Sequence, residues 1–593
     1  MRDQLRGMGV VGKLLLWLAA VCICAGPALA QSAVTGALTG TVTDPSGAVI
    51  AEATVTATNH DTGQQRTITT DANGAYKFSL LPPGNYDVKF SAKGFETAEV
   101  PSIAINVTET PVLNRALEIG SQAQQVTVQS NVQTIQTQNA TVGQLIGSHE
   151  MTALPLSSRN YTQILNLAPG VVNNVADASA YGTGSQDVQV NGSGAQENNY
   201  EMDGVVVNDA FSNEGAGVRT YGSIAIPNPD SIQQFNVQTA QYDASFGRNP
   251  GANVNVVTKG GTNQFHGDAW EFNRNNFFNA NDFFLKRQEL SPGGSGVNAP
   301  QILKQNQFGF TFGGPIKKDK VFFFTSYQGT RQINGIVSEG YDTGVSVPAI
   351  NDYADVASGI CANLRCTNNA AAYQAYLGST FGAGGPEPQG TISGTGPAIA
   401  ADGSNISPVA IAILQAPGLK GGLNQGFFVA GAPASCAAPC LQNIEDPATA
   451  NENQFMINTD YVLSSRNTLS ERYFHSSQPT SSAFGGSLPG SPYSYNFGND
   501  VADLRLTSIL TSNLVNDARI SLNRMTTVGE DDYNLEACSV GMIPSINNGA
   551  PCPAVAGANA DLYRLPSISI SGLRYPGYFS AGAFSFAGST YNT

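Results

Sequence analysis

Residues Asn306 to Gln328 read N-Q-F-G-F-T-F-G-G-P-I-K-K-D-K-V-F-F-F-T-S-Y-Q. Phe308, Phe310 and Phe312 fall on every second position, with Gln307, Gly309, Thr311 and Gly313 around them. A period of two, with aromatics on one face and small or polar residues on the other, is a strand with one apolar side. The polar stretch Gly314 to Lys320 reads as a turn into a second aromatic run, Val321 to Tyr327. A soluble sheet hides such a face in a core. A membrane-spanning barrel shows it to lipid and keeps the polar face for its lumen.

The N-terminus predicts export. Arg2, Arg6 and Lys13 precede the apolar run Leu14 to Ala25, and Ala28-Leu29-Ala30 matches a small-x-small cleavage site. Residues 1–30 are therefore expected to be a secretory signal peptide. Beyond Ala30 no stretch approaches the about 18 apolar residues that a spanning helix needs. An exported chain without such a helix is soluble or a barrel.

Charged residues are only 12% of the 593, about half the usual share for soluble proteins. Glycine (64), phenylalanine (28) and tyrosine (21) are plentiful, which suits surface β-structure. The formal net charge of −15 argues against a nucleic-acid partner. Cys22 and Cys24 leave with the signal. The other six cysteines fall in near pairs, Cys361/Cys366, Cys436/Cys440 and Cys538/Cys552. An even count in an exported chain suggests disulfides, of a connectivity that spacing leaves open. No histidine stands near any of them, so no metal site is expected, and no cofactor.

Residues 31–118 read as a small β-sandwich. Explicit turns (Asp44-Pro45-Ser46-Gly47, Asp71-Ala72-Asn73-Gly74, Pro82-Pro83-Gly84-Asn85) separate short alternating segments. Tyr86, Val88 and Phe90 are predicted to face inward from one strand, Tyr76 and Phe78 from another. T-V-T-D-P-S-G-A-V-I, T-D-A-N-G-A-Y-K-F and L-P-P-G-N-Y-D-V together resemble the carboxypeptidase regulatory-like domain, an Ig/prealbumin-like, non-catalytic sandwich. No His-x-x-Glu pair surrounds His60, His149, His266 or His475.

Residues 119–141 are polar and read as a linker. Within them Gln125-Val126-Thr127-Val128-Gln129 is a short β-prone island. It resembles the TonB box of outer-membrane receptors, an extended peptide that pairs with a partner's sheet edge. A plain linker strand, or a last strand of the sandwich, is the alternative. Residues 142–262 resemble the α+β plug domain of such receptors through L-P-L-S-S-R-N-Y (Leu154 to Tyr161), Y-E-M-D-G-V-V-V-N-D (Tyr200 to Asp209) and N-P-G-A-N-V-N-V-V-T-K-G-G-T-N (Asn249 to Asn263). A short helix is expected over Tyr161 to Leu167. Asp203-Gly204 is predicted to be a tight turn between apolar flanks, not a catalytic pair.

From residue 263 to 593 the texture is strands and loops. Seven strands are predicted: Phe265 to Asn273, Asn306 to Gly313, Val321 to Arg331, Gln454 to Leu463, Thr468 to His475, Val501 to Leu510 and Leu514 to Arg524, with two more within Asp561 to Phe586. Asp503 and Arg505 alternate with Ala502, Leu504 and Leu506; Asp517, Arg519 and Ser521 alternate with Ala518, Ile520 and Leu522. Charges alternating with aliphatics fit a polar lumen and a lipid-facing wall. Long gaps after the first, third, fifth and seventh strands, with short ones between, give the sidedness of outer-membrane barrels. All six mature cysteines fall in the long gaps.

F-H-G-D-A-W-E-F-N-R-N (Phe265 to Asn275) and F-G-G-P-I-K-K-D-K-V-F-F-F (Phe312 to Phe324), with the plug segments, resemble the Oar-like branch of TonB-dependent receptors. The resemblance implies a mainly β protein: sandwich, plug, then the first part of a transmembrane antiparallel barrel of about 22 strands. It implies outer-membrane lipid, the barrel assembly machinery, the TonB energy-transducing complex and an unknown extracellular ligand as partners, with sandwich and plug on the periplasmic side. Seven to nine strands in place of the family's set, and an ending in Ser589-Thr590-Tyr591-Asn592-Thr593, make a C-terminal truncation the expectation. Uptake of a bulky ligand, oligosaccharide or peptide rather than an iron chelate, is the leading function. A surface protein for adhesion, matrix or protein export is the alternative. No G-x-S-x-G, metal spacing or paired carboxylates support an enzyme.

Overall fold

The computed structural model describes residues 34–120, 125–127, 141–156, 158–173, 188–208, 224–242, 246–247, 249–290, 298–335, 447–482, 493–511 and 514–531, with short pieces between 345 and 444 and between 568 and 592. The signal segment, Val128 and Gln129 of the box candidate, and all six mature cysteines lie outside the described residues.

Seven strands build the sandwich: β1 (Gly36–Thr43), β2 (Thr54–Asn59), β3 (Gln65–Thr69), β4 (Ala75–Leu81), β5 (Gly84–Ser91), β6 (Thr97–Ile105) and β7 (Arg115–Ala116). One sheet has the order β4-β1-β7. The other is β3-β2-β5-β6, extended at its edge by β8 (Gln125–Thr127). Alternation along each strand sends one set of side chains inward. Leu38, Val55, Tyr76, Phe78, Tyr86, Val88 and Phe90 form the buried core between the sheets. Tyr76 packs edge-on against Phe78 and Phe90, at 6.1 and 5.7 Å between ring centroids. Asp44 and Asp71 close their turns by accepting backbone N–H bonds two and four residues on, as short carboxylate side chains do in turns.

The plug is a five-stranded mixed sheet, β13-β12-β15-β14-β9. Its strands are β9 (Val142–Gly147), β12 (Asn199–Met202), β13 (Val205–Val206), β14 (Ile232–Ala240) and β15 (Asn253–Thr258), with a separate pair, β10 (Val171–Asn173) and β11 (Val188–Val190). One short helix, α1, spans Ser148–Ala153, and Tyr161–Leu167 is a 3-10 helix. Asn160 caps the latter, its side-chain oxygen accepting from Thr162 N–H at 2.9 Å.

The third sheet is the barrel wall. It consists of β16 (His266–Asn275), β17 (Leu303–Lys317), β18 (Val321–Asn334), β22 (Ala448–Ser464), β23 (Asn467–Ser482), β24 (Tyr493–Thr511), β25 (Leu514–Asp531) and β28 (Ser585–Asn592). Every neighbouring pair is antiparallel in that order. The 335–447 connection carries β19 (Val345–Ile350), β20 (Val429–Ala430) and β21 (Leu441–Ile444), paired among themselves. All seven sequence-predicted wall strands are present, and most run further at the end opposite the short turns. Two more strands were expected within Asp561 to Phe586. Among the described residues that stretch holds the short pair β26 (Ile568–Ser569) and β27 (Ser580–Ala581), and the strand that joins the wall, β28, begins at its end.

The two faces of the wall differ as the opening stretch requires. Phe308, Phe310 and Phe312 are 37%, 45% and 45% exposed, whereas Gln305, Gln307 and Thr311 on the alternate positions of the same strand are 3%, 3% and 4% exposed. Across the register Phe310 stands beside Tyr327, and Tyr327 beside Phe455. An aromatic band therefore runs over the outer face of three neighbouring strands, the face a lipid bilayer covers. No helix among the described residues is long and apolar enough to cross a membrane.

Candidate functional site

The inner face of the wall meets the plug along a seam of hydrogen bonds with a shared apolar core. Phe324, Met456, Phe474 and Val501 of the wall belong to one buried cluster with Tyr161, Ile164, Tyr200, Phe235 and Val254 of the plug. Two arginines, Arg159 and Arg519, and the amides of Asn228, Gln307, Gln328, Asn458 and Asn523 fix the seam.

Arg159 lies in the loop entering the 3-10 helix, with φ of +53°, an uncommon conformation for a non-glycine residue. It forms an ion pair with Asp230, and its Nε donates to Gln328 Oε1 on β18 at 2.9 Å. Its guanidinium carbon lies 5.0 Å from the Trp270 ring centroid and 4.6 Å from that of Phe272, both on β16. Arginine suits such a place because its planar fork pairs and stacks at once. Burial lowers its pKa and Asp230 opposes that, yet from so high a starting value it stays charged. Gln307 Nε2 donates to Ser158 O at 3.1 Å, and Asn228 Nδ2 to Ser326 Oγ at 3.0 Å.

Asp203 and Gly204 form the two-residue turn joining β12 to β13, where Met202 faces Val205. Their φ values are +50° and +77°, the doubly positive pattern of hairpin turns that favours Asp-Gly. Arg519 of β25 donates to Gly204 O at 2.9 Å and to Asp203 O at 2.8 Å. The Asp203 carboxylate is itself occupied, accepting from Thr258 N–H at 2.9 Å and Thr258 Oγ1 at 2.7 Å. Asn458 of β22 donates to Thr258 Oγ1 and to Lys259 O, both at 2.8 Å. Asn523 donates to Val206 O at 3.0 Å. Burial raises the pKa of Glu201, with Asn199 and then Arg519 pulling the other way.

The sandwich is tied to both neighbours. Thr108 Oγ1 accepts from Asn236 Nδ2 at 2.5 Å and Gln238 Nε2 at 3.3 Å of the plug strand β14. Asn263 donates to Thr62 O and to Asp319 Oδ1, both at 2.8 Å, linking a sandwich turn to the β17–β18 turn. Gln64 Nε2 donates to Thr468 Oγ1 of β23 at 3.0 Å.

The box candidate is described in part. Gln125, Val126 and Thr127 run parallel to β6, opposite Thr97, Ala98 and Glu99. Sequence reasoning placed Arg519 on the lumen side by alternation, but it did not single out Arg159, Asp230, Asn228, Asn263 or Asn458. Their only sequence signal is a polar residue in a strand or at a loop end, which is too common to select them.

Above these contacts the inner wall is amide-rich. Gln305 Nε2, Gln328 Nε2, Gln454 Oε1 and Glu452 Oε2 are buried without a hydrogen-bond partner. Gln328 stands beside Gln454, and Thr330 beside Glu452. Among the described residues no group of three or more His, Cys, Asp or Glu side chains is placed to hold a metal ion.

Family models match three consecutive parts of the chain: a carboxypeptidase regulatory-like domain at 37–118, a TonB-dependent receptor plug domain at 124–254 and an outer membrane beta barrel domain at 257–593. The chain belongs to the outer-membrane β-barrel domain family, as an Oar-like TonB-dependent receptor of the outer membrane. The TonB-dependent transporter Oar of Myxococcus xanthus is 30% identical over 352 residues, which cover 56% of this chain and 30% of that protein. The chain thus spans about a third of the length of this curated relative. The outer membrane transporter YddB of Escherichia coli is similar at 11% identity and a TM-score of 0.43, over 76% of this chain and 44% of that one. The ferric enterobactin receptor PfeA of Pseudomonas aeruginosa is similar at 12% identity and a TM-score of 0.30, over 66% and 46%.

Proposed function

We propose that the protein takes up a bulky ligand across the outer membrane, driven by a TonB energy-transducing complex that pulls on Gln125 to Gln129. The observation that carries this reading is the plug–wall seam. A folded plug held to the wall by discrete polar contacts, rather than by apolar packing alone, is a stopper that force on its leading segment can shift. Sandwich and plug are assigned to the periplasm, where the short turns 318–320 and 465–466 lie, and the long connections to the cell surface. Insertion by the barrel assembly machinery follows from the same assignment.

The ligand is an oligosaccharide or a peptide rather than an iron chelate. Gln305, Gln307, Gln328, Thr330, Gln332 and Gln454 line the inner faces of β17, β18 and β22. Amides and hydroxyls offer donors and acceptors without charge, which matches sugar hydroxyls or peptide groups. Calorimetry of the full-length protein against panels of neutral oligosaccharides and of peptides tests this. Binding within one panel that Gln454→Leu weakens about tenfold supports the reading; selective binding of anionic iron chelates contradicts it.

A further inference from the structure

The edge strand β8 has two sides, and among the described residues only one is occupied. It ends the sheet β3-β2-β5-β6-β8, so β6 takes its inner edge and the outer edge has no strand among the described residues. Exposed edges are normally blunted by lysine, proline or inward charge. Here no residue from Gly120 to Thr141 is charged or a proline. β6, by contrast, is protected beyond the stretch paired to β8: Pro101 follows Thr97–Glu99, and Ser102, within the strand, has φ of +56°. The sheet thus accepts one short parallel strand at Thr97–Glu99 and offers that strand's far edge. The sandwich carrying it is tied to plug strand β14 through Thr108 and to the β17–β18 turn through Asn263.

We propose that the docking surface for the energy-transducing partner is composite, formed by β8 while it remains paired to β6. The partner's extended strand adds to the free edge and continues the sandwich sheet. The proposal rests on the reading of Gln125 to Gln129 as the TonB-box segment. It goes further in giving the sandwich a role of its own. The sandwich presents the box as a preformed strand, so the ordering cost of a loose peptide is met before the partner arrives.

The test is a covalent tether between the two strands in the full-length protein. Glu99 and Thr127 are register partners, so Glu99→Cys with Thr127→Cys bridges β6 to β8 on oxidation. The probe is the periplasmic domain of the source bacterium's own TonB protein, titrated against oxidised and reduced forms. The proposal expects the bridge to form and the oxidised form to bind within about twofold of the reduced form of the same variant. It expects deletion of residues 34–118 to weaken binding at least about fivefold. Failure of the bridge to form overturns it. So does binding lost on oxidation and restored by reductant, which means that the box must leave β6 first and leaves the box reading intact. Unchanged binding after the deletion also overturns it. If wild type does not bind the probe and Val128→Pro changes nothing, the box reading itself fails and the composite surface with it.

Discussion

The guanidinium of Arg519 caps the plug turn at Gly204: a Cβ built on Gly204 would lie 2.3 Å from Arg519 Nη1. The same nitrogen donates to Gly204 O at 2.9 Å. Contact and conformation both require glycine, since φ is +77°. Gly204→Ala therefore strains the turn by about 1 kcal/mol and pushes the arginine off two carbonyls. The expected outcome is a plug that opens more readily, read as faster amide hydrogen exchange over Tyr200 to Val207 with the wall strands unchanged. Equal exchange in both proteins contradicts the role given to this contact.

Arg159→Lys tests the other anchor. Lysine keeps the charge opposite Asp230 but cannot also donate in plane to Gln328 while lying over Trp270 and Phe272. A loss of about 1–3 kcal/mol in plug attachment is expected, seen as increased leakage of a large hydrophilic dye through the outer membrane. Arg159→Ala should leak more. Dye exclusion as in wild type for both variants would contradict the anchor.

In the sandwich, burial pushes the Tyr86 hydroxyl up to about 12, and its O–H donates to Pro82 O at 2.9 Å. Its unfolded value is near 10. A raised acid pKa means that the contribution is intact below pH 10 and is lost as pH climbs toward about 12. Burial raises Tyr76 as well. The melting temperature of the sandwich should therefore fall steeply between those two pH values. Tyr86→Phe should flatten part of that fall while lowering the neutral-pH value modestly. An unchanged alkaline slope in Tyr86→Phe contradicts the assignment.

The cysteines give a covalent test of the surface connections. Cys361 with Cys366, Cys436 with Cys440 and Cys538 with Cys552 are proposed as local disulfides. The loops are short, so each contributes on the order of 2–3 kcal/mol by the chain-entropy model. Non-reducing peptide mapping should recover the three pairs. A bridge such as Cys366 to Cys436 would instead mean a cross-linked lid over the barrel mouth.

Much of the fold was legible because alternation reports directly on which face a strand residue occupies. Phe308, Phe310 and Phe312 on one side, with Gln307 and Thr311 on the other, were enough to orient β17. Asp503, Arg505 and Arg519 did the same for β24 and β25. The ends of the strands were less legible, because beyond the apolar band both faces are polar: Asn467–Ser482 continues past His475 through residues with no strand signature. β6 is hard to read from sequence for a related reason, since Pro101 lies inside it and proline argues against a strand. The seam was the least legible part. Arg159, Asp230 and Gln328 are far apart in the chain, and only the folded wall brings them together.

The central claim is that Gln125 to Gln129 couples the plug to an energy source. Its most direct measurement is ligand uptake and surface binding by the full-length protein carrying Val128→Pro, which removes a backbone donor and fixes φ. The account predicts that uptake is abolished while binding at the cell surface is retained, and that Val128→Ala does less. Normal uptake by Val128→Pro would contradict it.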